Sequence, residues 1–230
     1  MTLVGAPSAP LPAVATPRSL GAVVVVPVGT IVVIIAVALL PLLLPFVMHP
    51  MLTAAEAHRW LGTTPDLAGR LSDQTVAELL VGPGTFAFAG PDGRPMYGPD
   101  EVAHLRDVRT LLWLLLGGAA LAAAGLIVRL VAGIDRAGTW RGIARGGALA
   151  AGGAMVIGII GAVAFDPLFT LFHEVFFPGG DWAFDPRTQR LVQLYPYAYW
   201  GLAGAGLGAL VVVLGAIAWL VGRRRGRMTP

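Results

Sequence analysis

The sequence contains no cysteine and no lysine, and only 13% of its 230 residues are charged. Without cysteine the chain can form neither disulfides nor thiolate metal sites, and it has no thiol nucleophile. Serine is also scarce, since it occurs only at positions 8, 19 and 72, and no GxSxG motif is present. A serine hydrolase is therefore a poor interpretation, and any catalysis must use other groups.

Apolar residues dominate the chain. They make up 56% of it, with a mean hydropathy of +0.75, which is typical of a membrane protein. Four apolar runs exceed the roughly 18 residues that indicate a membrane span; they cover residues 20–48, 110–133, 145–164 and 199–222. We therefore predict an all-α membrane protein whose four transmembrane helices form one domain over residues 20–222.

The arginines predict how this domain is oriented. One side of the predicted membrane carries a single acid, Asp135, and these arginines: 18, 129, 136, 141, 145, 223, 224, 225 and 227. By the positive-inside rule that side faces the cytoplasm, together with both termini. Residues 1–19, rich in Ala and Pro, are predicted to be a disordered cytoplasmic leader, and residues 223–230 an Arg-rich cytoplasmic tail. Because the arginines flank apolar spans, no nucleic-acid partner is predicted.

Two segments are predicted to lie outside. The first, residues 49–109, contains a predicted helix over residues 73–80, capped by Ser72 or Asp73, and a possible strand over residues 85–89. Together these elements predict a small extracellular cap.

The second outer segment, residues 165–198, is rich in aromatic residues. Asp166 and Pro167 are predicted to open a helix that reaches about Phe177, and its apolar character favours an interfacial or re-entrant position. Asp185 and Pro186 are predicted to open a second short helix.

One candidate for chemistry is His104, at the junction between the first outer segment and the second span. Asp100 is predicted to cap a helix that starts at Glu101, and Glu101, His104 and Asp107 follow i, i+3, i+6 spacing on it. Residues at this spacing share roughly one helical face. His104 is therefore expected at the outer membrane interface with carboxylates beside it.

His173 is the second candidate, because it lies on the predicted aromatic helix next to Glu174. Ionisable groups near lipid are costly, so such a pair favours a functional role over a simple aromatic belt. A carboxylate near an imidazole can set its tautomer and leave the other nitrogen for proton transfer near neutral pH. We therefore predict acid/base catalysis by His104 and His173, and interpret His49 and His58 as interfacial or surface residues.

A metal site is the alternative use of the same groups. Two histidines with Glu101, Asp107 and Glu174 would supply enough ligands for zinc. However, Phe177 stands where a HExxH motif requires its second histidine. We predict neither a metal nor another cofactor.

Two segments resemble the bacterial lipoprotein intramolecular transacylases: EVAHLRDVR at residues 101–109 and FHEVFFPGGDWAFDPRTQRLVQLYP at residues 172–196. The four-span layout is also similar. The resemblance implies an extracellular cap and two catalytic histidines where the cap meets the membrane, corresponding here to His104 and His173. The predicted supporting residues are Glu101, Asp107, Glu174, Asp181, Trp182, Asp185 and Tyr195.

The resemblance also implies a reaction. The sn-2 acyl chain of a diacylglyceryl-modified lipoprotein would move to the α-amino group of its own N-terminal cysteine, leaving the lyso-form. Such a transfer needs no enzyme nucleophile, because nucleophile and ester belong to one substrate. The expected partners are such lipoproteins and membrane lipid, at the outer leaflet. The alternative is a non-enzymatic membrane protein that binds lipid or a partner through its aromatic outer cap.

Overall fold

A computed structural model describes residues 21–180 and 182–228. The predicted leader, residues 1–19, and Asp181 lie outside the described residues. In chain order the α-helices are α1 (Val26–Leu39), α2 (Pro45–Ala54), α3 (Ala57–Trp60), α4 (Pro65–Leu80), α5 (Pro99–Val131), α6 (Arg136–Val163), α7 (Phe165–Phe176), α8 (Arg190–Leu194) and α9 (Tyr197–Met228).

The all-α membrane fold is confirmed. Four helical stretches are long and apolar enough to cross a membrane: Val23–Leu43, Pro99–Val131, Arg136–Val163 and Tyr197–Met228. Their outer faces carry large apolar side chains, among them Leu121 and Val163, which are 76% and 84% exposed. Apolar surface on this scale is suited to lipid rather than water.

The first predicted span, residues 20–48, is divided in the structure. A 3-10 helix over Leu40–Leu43 follows α1, and Leu44 is then extended, with a ψ angle of 137°. Pro45 explains the division, because proline disfavours the helical conformation of the residue before it. The membrane-crossing stretch therefore ends at Leu43, and α2 belongs to the cap.

Glycines allow α6 and α9 to pack closely. A Cβ atom on Gly147 would lie 2.5 Å from the carbonyl oxygen of Gly215, and one on Gly222 would lie 2.7 Å from the backbone nitrogen of Ala144. Small residues permit such backbone approach between membrane helices.

A cap formed by α2, α3, α4, the loop over residues 81–98 and α8 covers one end of the bundle. Its core combines buried side chains from all these parts, including Met48, Ala57, Leu71, Met96 and Leu194. Leu105 and Leu112 of α5 belong to the same core. Because α5 starts inside the cap and continues into the membrane, its first turns lie where the two regions meet.

The predicted start of the cap helix was wrong. α4 begins at Pro65, and the Thr64 hydroxyl accepts a hydrogen bond from the Leu67 backbone N–H. Proline at the first helical position and threonine before it are both favourable. The two predicted caps, Ser72 and Asp73, instead lie in the middle of α4, where Ser72 is completely buried.

The predicted strand over residues 85–89 does not form. Within the described part of the chain, the only extended pairing is a single bridge between Ala89 and Pro95. Phe86 has a φ angle of 53°, which is incompatible with a regular strand.

The second outer segment contains α7, as expected, but its second helix starts later than predicted. Asp185 opens a turn, in which the backbone N–H groups of Thr188 and Gln189 donate to its carbonyl oxygen. The regular helix, α8, begins only at Arg190. The turn and α8 lead directly into α9.

Candidate active site

His104 lies on the cap face of α5, in its second turn. The imidazole is only 7% exposed, and its helical neighbours Glu101 and Leu105 are also buried. The start of α5 is held by Glu101, whose carboxylate accepts a hydrogen bond of 2.7 Å from the backbone N–H of Gly98. The short first motif thus places an ionisable ring at the junction of cap and membrane.

His173 occupies the inner face of α7. Its side chain is 9% exposed, whereas Leu171, Phe172, Val175 and Phe176 on the same helix are between 45% and 62% exposed. This division makes α7 an amphipathic element, with an outer face suited to lipid. The sequence placed Thr170, His173 and Glu174 on one stripe, but Glu174 is exposed and only the histidine is buried.

The two imidazoles meet at this junction. Their ring centroids are 6.0 Å apart and their planes differ by 25°, a stacked arrangement. At this separation both rings are close enough to contact one bound molecule, and they form the candidate site.

Aromatic side chains surround the pair. The Phe177 ring contacts both histidines, with centroid distances of 4.8 Å to His104 and 5.6 Å to His173. Phe184 lies against His104 at 5.5 Å, and Trp182 lies against His173 at 4.9 Å. This wall limits the access of water and strengthens electrostatic interactions inside it.

The protonation state of His173 follows from its surroundings. Burial lowers the pKa of His173, and its hydrogen bond to a backbone carbonyl acts in the opposite direction. That bond joins Nδ1 to the carbonyl oxygen of Phe169 at 2.8 Å, so Nδ1 must be the donor. In the neutral ring the proton is therefore on Nδ1, and Nε2 has the lone pair that can accept a proton.

Glu101 connects the two histidine-bearing segments. One carboxylate oxygen accepts the Gly98 N–H, and the other accepts the backbone N–H of Leu191 at 2.6 Å. Both oxygens thus bind backbone donors, and the carboxylate ties the start of α5 to α8. A second tie, between Arg190 and Asp92 at 2.7 Å, joins the same α8 region to the loop of the cap.

Tyr195 is a structural residue of the cap. Its hydroxyl lies 3.1 Å from the Ser72 hydroxyl in α4, and burial raises the pKa of Tyr195 to about 12. Beside it the Tyr97 and Thr75 hydroxyls are 2.6 Å apart, and Tyr97 is the donor because the Thr75 hydroxyl donates to the Leu71 carbonyl. The pairing of tyrosines with hydroxyl residues of α4 had no sequence signal, because it requires the folded cap.

Among the residues that the structure describes, three other predicted supporting residues, Asp107, Glu174 and Asp185, form no hydrogen bond with either histidine. Asp107 and Glu174 are exposed, and neither forms a hydrogen bond or an ion pair within the described ranges. Asp185 binds the guanidinium of Arg187 at 2.9 Å, and this contact lowers the pKa of the carboxyl group. Asp181 lies outside the described residues.

A cavity of about 260 Å³ opens on the cap side, lined by the start of α5 and by the turn before α8. Glu101 and Arg190 are part of its lining, but neither histidine is. The histidines instead lie behind the aromatic wall. In the described residues no three His, Asp or Glu side chains are grouped as a metal site requires.

The chain is similar to a known protein family and to solved structures. The family model described as lipoprotein intramolecular transacylase Lit matches residues 81–200, slightly more than half of the chain. No curated protein matches the sequence. The solved structure of the membrane integral lipoprotein intramolecular transacylase Lit from Bacillus cereus is similar, with a TM-score of 0.71 and 18% identity over 89% of this chain and 95% of that chain. A variant of that protein with a histidine replaced by alanine has a TM-score of 0.62 and 17% identity over 89% and 93% of the respective chains.

Proposed function

Since the chain belongs to the lipoprotein intramolecular transacylase family, we propose that it moves the sn-2 acyl chain of a diacylglyceryl-modified lipoprotein to the α-amino group of that lipoprotein's N-terminal cysteine. The product is the lyso-form lipoprotein. The observation that carries this proposal is the pair of stacked imidazoles inside an aromatic wall, with ring centroids 6.0 Å apart.

The reaction is direct aminolysis of an ester. The amine nitrogen attacks the sn-2 carbonyl carbon and loses a proton, and the carbon–oxygen bond to the glycerol then breaks as that oxygen gains a proton. Ester and amine are covalently part of one substrate, so holding them in contact lowers the entropic part of the barrier. No acyl-enzyme is required, in keeping with a chain that has no cysteine and three serines.

We assign the general base to His173 and the general acid to His104. The bond from His173 Nδ1 to the Phe169 carbonyl supports this assignment, because it leaves Nε2 as the acceptor. Burial favours the neutral ring, which is the form that a base requires. His104, beside it, is protonated and donates its proton to the departing sn-2 oxygen; the proton that His173 took from the amine then passes to His104 and restores both rings.

The supporting residues have positioning roles in this proposal. Glu101 sets the distance between the two motifs through its bonds to Gly98 and Leu191. Trp182 and Phe177 keep water from the reacting ester, and the exposed apolar face of α7 lies along the acyl chains of the substrate and of membrane lipid. We propose no catalytic role for Asp107 or Glu174, which are exposed.

We propose that the cap faces the outer leaflet and that both chain ends face the cytoplasm. The arginines at the ends of α5, α6 and α9 opposite the cap support this orientation. Because the natural chain has no cysteine, single cysteines at Arg94 in the cap and at Met228 can each be labelled alone. An impermeant maleimide added to intact cells should label the first and not the second; the reverse pattern would overturn the orientation.

Mass spectrometry of a lipoprotein co-expressed with this chain tests the activity. We expect the N-acyl, S-monoacylglyceryl form with the wild type, and the unchanged diacyl form with His104→Ala or His173→Ala. His49→Gln is the matched control, since it alters another histidine of the cap and should retain activity. A substrate that keeps both esters and a free amine beside the wild-type chain would refute the proposed function.

A further inference from the structure

A second cavity lies at the end of the bundle opposite the cap, between α6 and α9, with a volume of about 350 Å³. Four arginines line it: Arg141 and Arg145 from α6, and Arg223 and Arg227 from α9. On each helix the two arginines are four residues apart, so they share one face and converge on the cavity.

Small residues create the space between these arginines. Ala144 and Gly226 are part of the lining, and a Cβ atom on Gly226 would first meet the Arg141 side chain at 3.4 Å. Farther along the same pair of helices, Gly147 and Gly215 bring the backbones into direct contact. The cavity is therefore a recess at one end of a tightly packed helix pair, and its walls are held by that packing.

The positive charge in the recess is not neutralised by the protein. In the described part of the chain, no ion pair involves any of the four arginines. The single acid near this end, Asp135, accepts a hydrogen bond from the Gly138 backbone N–H and caps α6. The Arg223 guanidinium lies 4.7 Å from the centre of the Trp219 ring, a cation–π contact that orients it but leaves its charge.

Topology alone does not account for this arrangement. The positive-inside rule asks only for arginines near the ends of spans, and Arg224 and Arg225 meet it without lining the recess. Like charges four residues apart on a helix are destabilising, and here two such pairs face each other. An anion with several oxygens would relieve this repulsion, because guanidinium groups bind phosphate oxygens in bidentate fashion.

We propose that the recess binds the phosphate headgroup of an anionic phospholipid in the leaflet opposite the cap. Leu149 on α6 and Leu220 on α9 follow the lining residues Ala148 and Trp219 in sequence; they are 62% and 46% exposed and would contact the acyl chains of the same lipid. Free phosphate would use only the arginines, so this apolar surface favours a lipid. Basic pockets between membrane helices are suited to anionic headgroups.

Native mass spectrometry of the purified, delipidated full chain tests the proposal without any measurement of acyl transfer. The protein is titrated with phosphatidylglycerol, with phosphatidylcholine of the same acyl chains, and with inorganic phosphate. We expect saturable retention of phosphatidylglycerol, with phosphatidylcholine bound at least about tenfold more weakly. Equal retention of both lipids, or equal binding of inorganic phosphate, would overturn the lipid assignment.

Variants separate the recess from general surface charge. Arg145→Gln should weaken phosphatidylglycerol binding about fivefold, and Arg145→Gln with Arg223→Gln about 30-fold. Arg224→Gln removes the same charge outside the recess and should leave binding unchanged. A loss with Arg224→Gln as large as with Arg145→Gln would refute a defined site.

A steric variant tests the recess at constant charge. Gly226→Leu should fill it and reduce lipid retention, whereas Gly226→Ala, which meets Arg141 only at ordinary contact distance, should retain it. The melting temperature of each variant in lipid-free detergent reports whether the fold is intact. A normally melting Gly226→Leu protein with wild-type lipid retention would exclude the recess as the binding site.

Discussion

Replacing Glu101 with alanine would show how strongly one carboxylate holds the two histidine-bearing segments together. Glu101 is 4% exposed, and its two oxygens accept the backbone N–H groups of Gly98 and Leu191 at 2.7 and 2.6 Å. Gly98 lies just before α5, the helix that carries His104. Leu191 lies in α8, which follows the aromatic helix that carries His173. Alanine would leave both of them without this acceptor.

The expected cost follows from the two environments. The bond to Leu191 is buried, so loss of its acceptor should cost about 1–3 kcal/mol; the Gly98 bond is partly buried, and water can replace part of it at a cost of about 1 kcal/mol. A total of about 2–4 kcal/mol corresponds to a fall of roughly 5–15 °C in Tm for a chain of this size. Glu101→Gln keeps one acceptor oxygen and should lose about half as much.

Thermal unfolding in detergent, followed by the lipoprotein mass assay on protein that remains folded, measures both effects. We expect the Tm to fall in the order wild type, Glu101→Gln, Glu101→Ala, and the activity to fall in the same order, because the imidazoles lose their fixed separation. Asp107→Asn, an exposed acid on the same helix, should change stability by less than about 0.5 kcal/mol. A Glu101→Ala protein with wild-type Tm would refute the positioning role.

Four further predictions rest on these contacts. Because burial lowers the pKa of His173 from its ordinary value of 6.5, the loss of activity toward acid pH should have its midpoint below pH 6.5; a midpoint above 6.5 would contradict the general-base role. Because the pKa of His173 is lower in the folded protein than in the unfolded chain, the unfolded chain binds this proton more readily. The free energy of unfolding should therefore also decrease as the pH is lowered below 6.5. Gly147→Ala places a Cβ atom 2.5 Å from a backbone oxygen of α9 and should cost about 1–3 kcal/mol in thermal unfolding, whereas Gly152→Ala meets nothing within 4 Å and should be neutral or stabilising. Tyr195→Phe removes the bond to its buried serine partner and should cost about 1 kcal/mol, measured as a lower Tm; an unchanged Tm would show that this hydroxyl pair does not support the cap.

The sequence identified candidate site residues best where an ionisable side chain was expected in an apolar environment, because burying such a group is energetically unfavourable. His104 and His173 stood out because each is an ionisable group at an apolar boundary, and the structure brings these two residues together. The carboxylates nearest to them in sequence were less informative. Helical spacing put Asp107 and Glu174 near the histidines, but both carboxylates are exposed. Spacing along one helix does not show which of its residues are covered by other parts of the protein.

Local rules also failed where tertiary burial competed with them. Ser72 has the chemistry of a helix cap, yet it lies inside α4 because its hydroxyl fits the buried partner Tyr195. The stretch over residues 85–89 lies between two turn sequences, as a strand often does, yet Phe86 is buried with a positive φ angle and no strand forms. In both cases the packing of the cap outweighed a weak local preference.

The sequence by itself determined the class of this protein, because runs of about 20 consecutive apolar residues are typical of helices that cross a bilayer, and a chain of 230 residues has no core large enough to bury four of them. It also excluded a thiolate nucleophile, since the chain has no cysteine. Only the tertiary structure decided that α5 and α7 bring their imidazoles to a centroid distance of 6.0 Å, that Glu101 binds backbone donors, and that four arginines surround one recess. These facts depend on contacts between residues distant in the chain, and the energy of such contacts is not contained in the periodicity of any single helix.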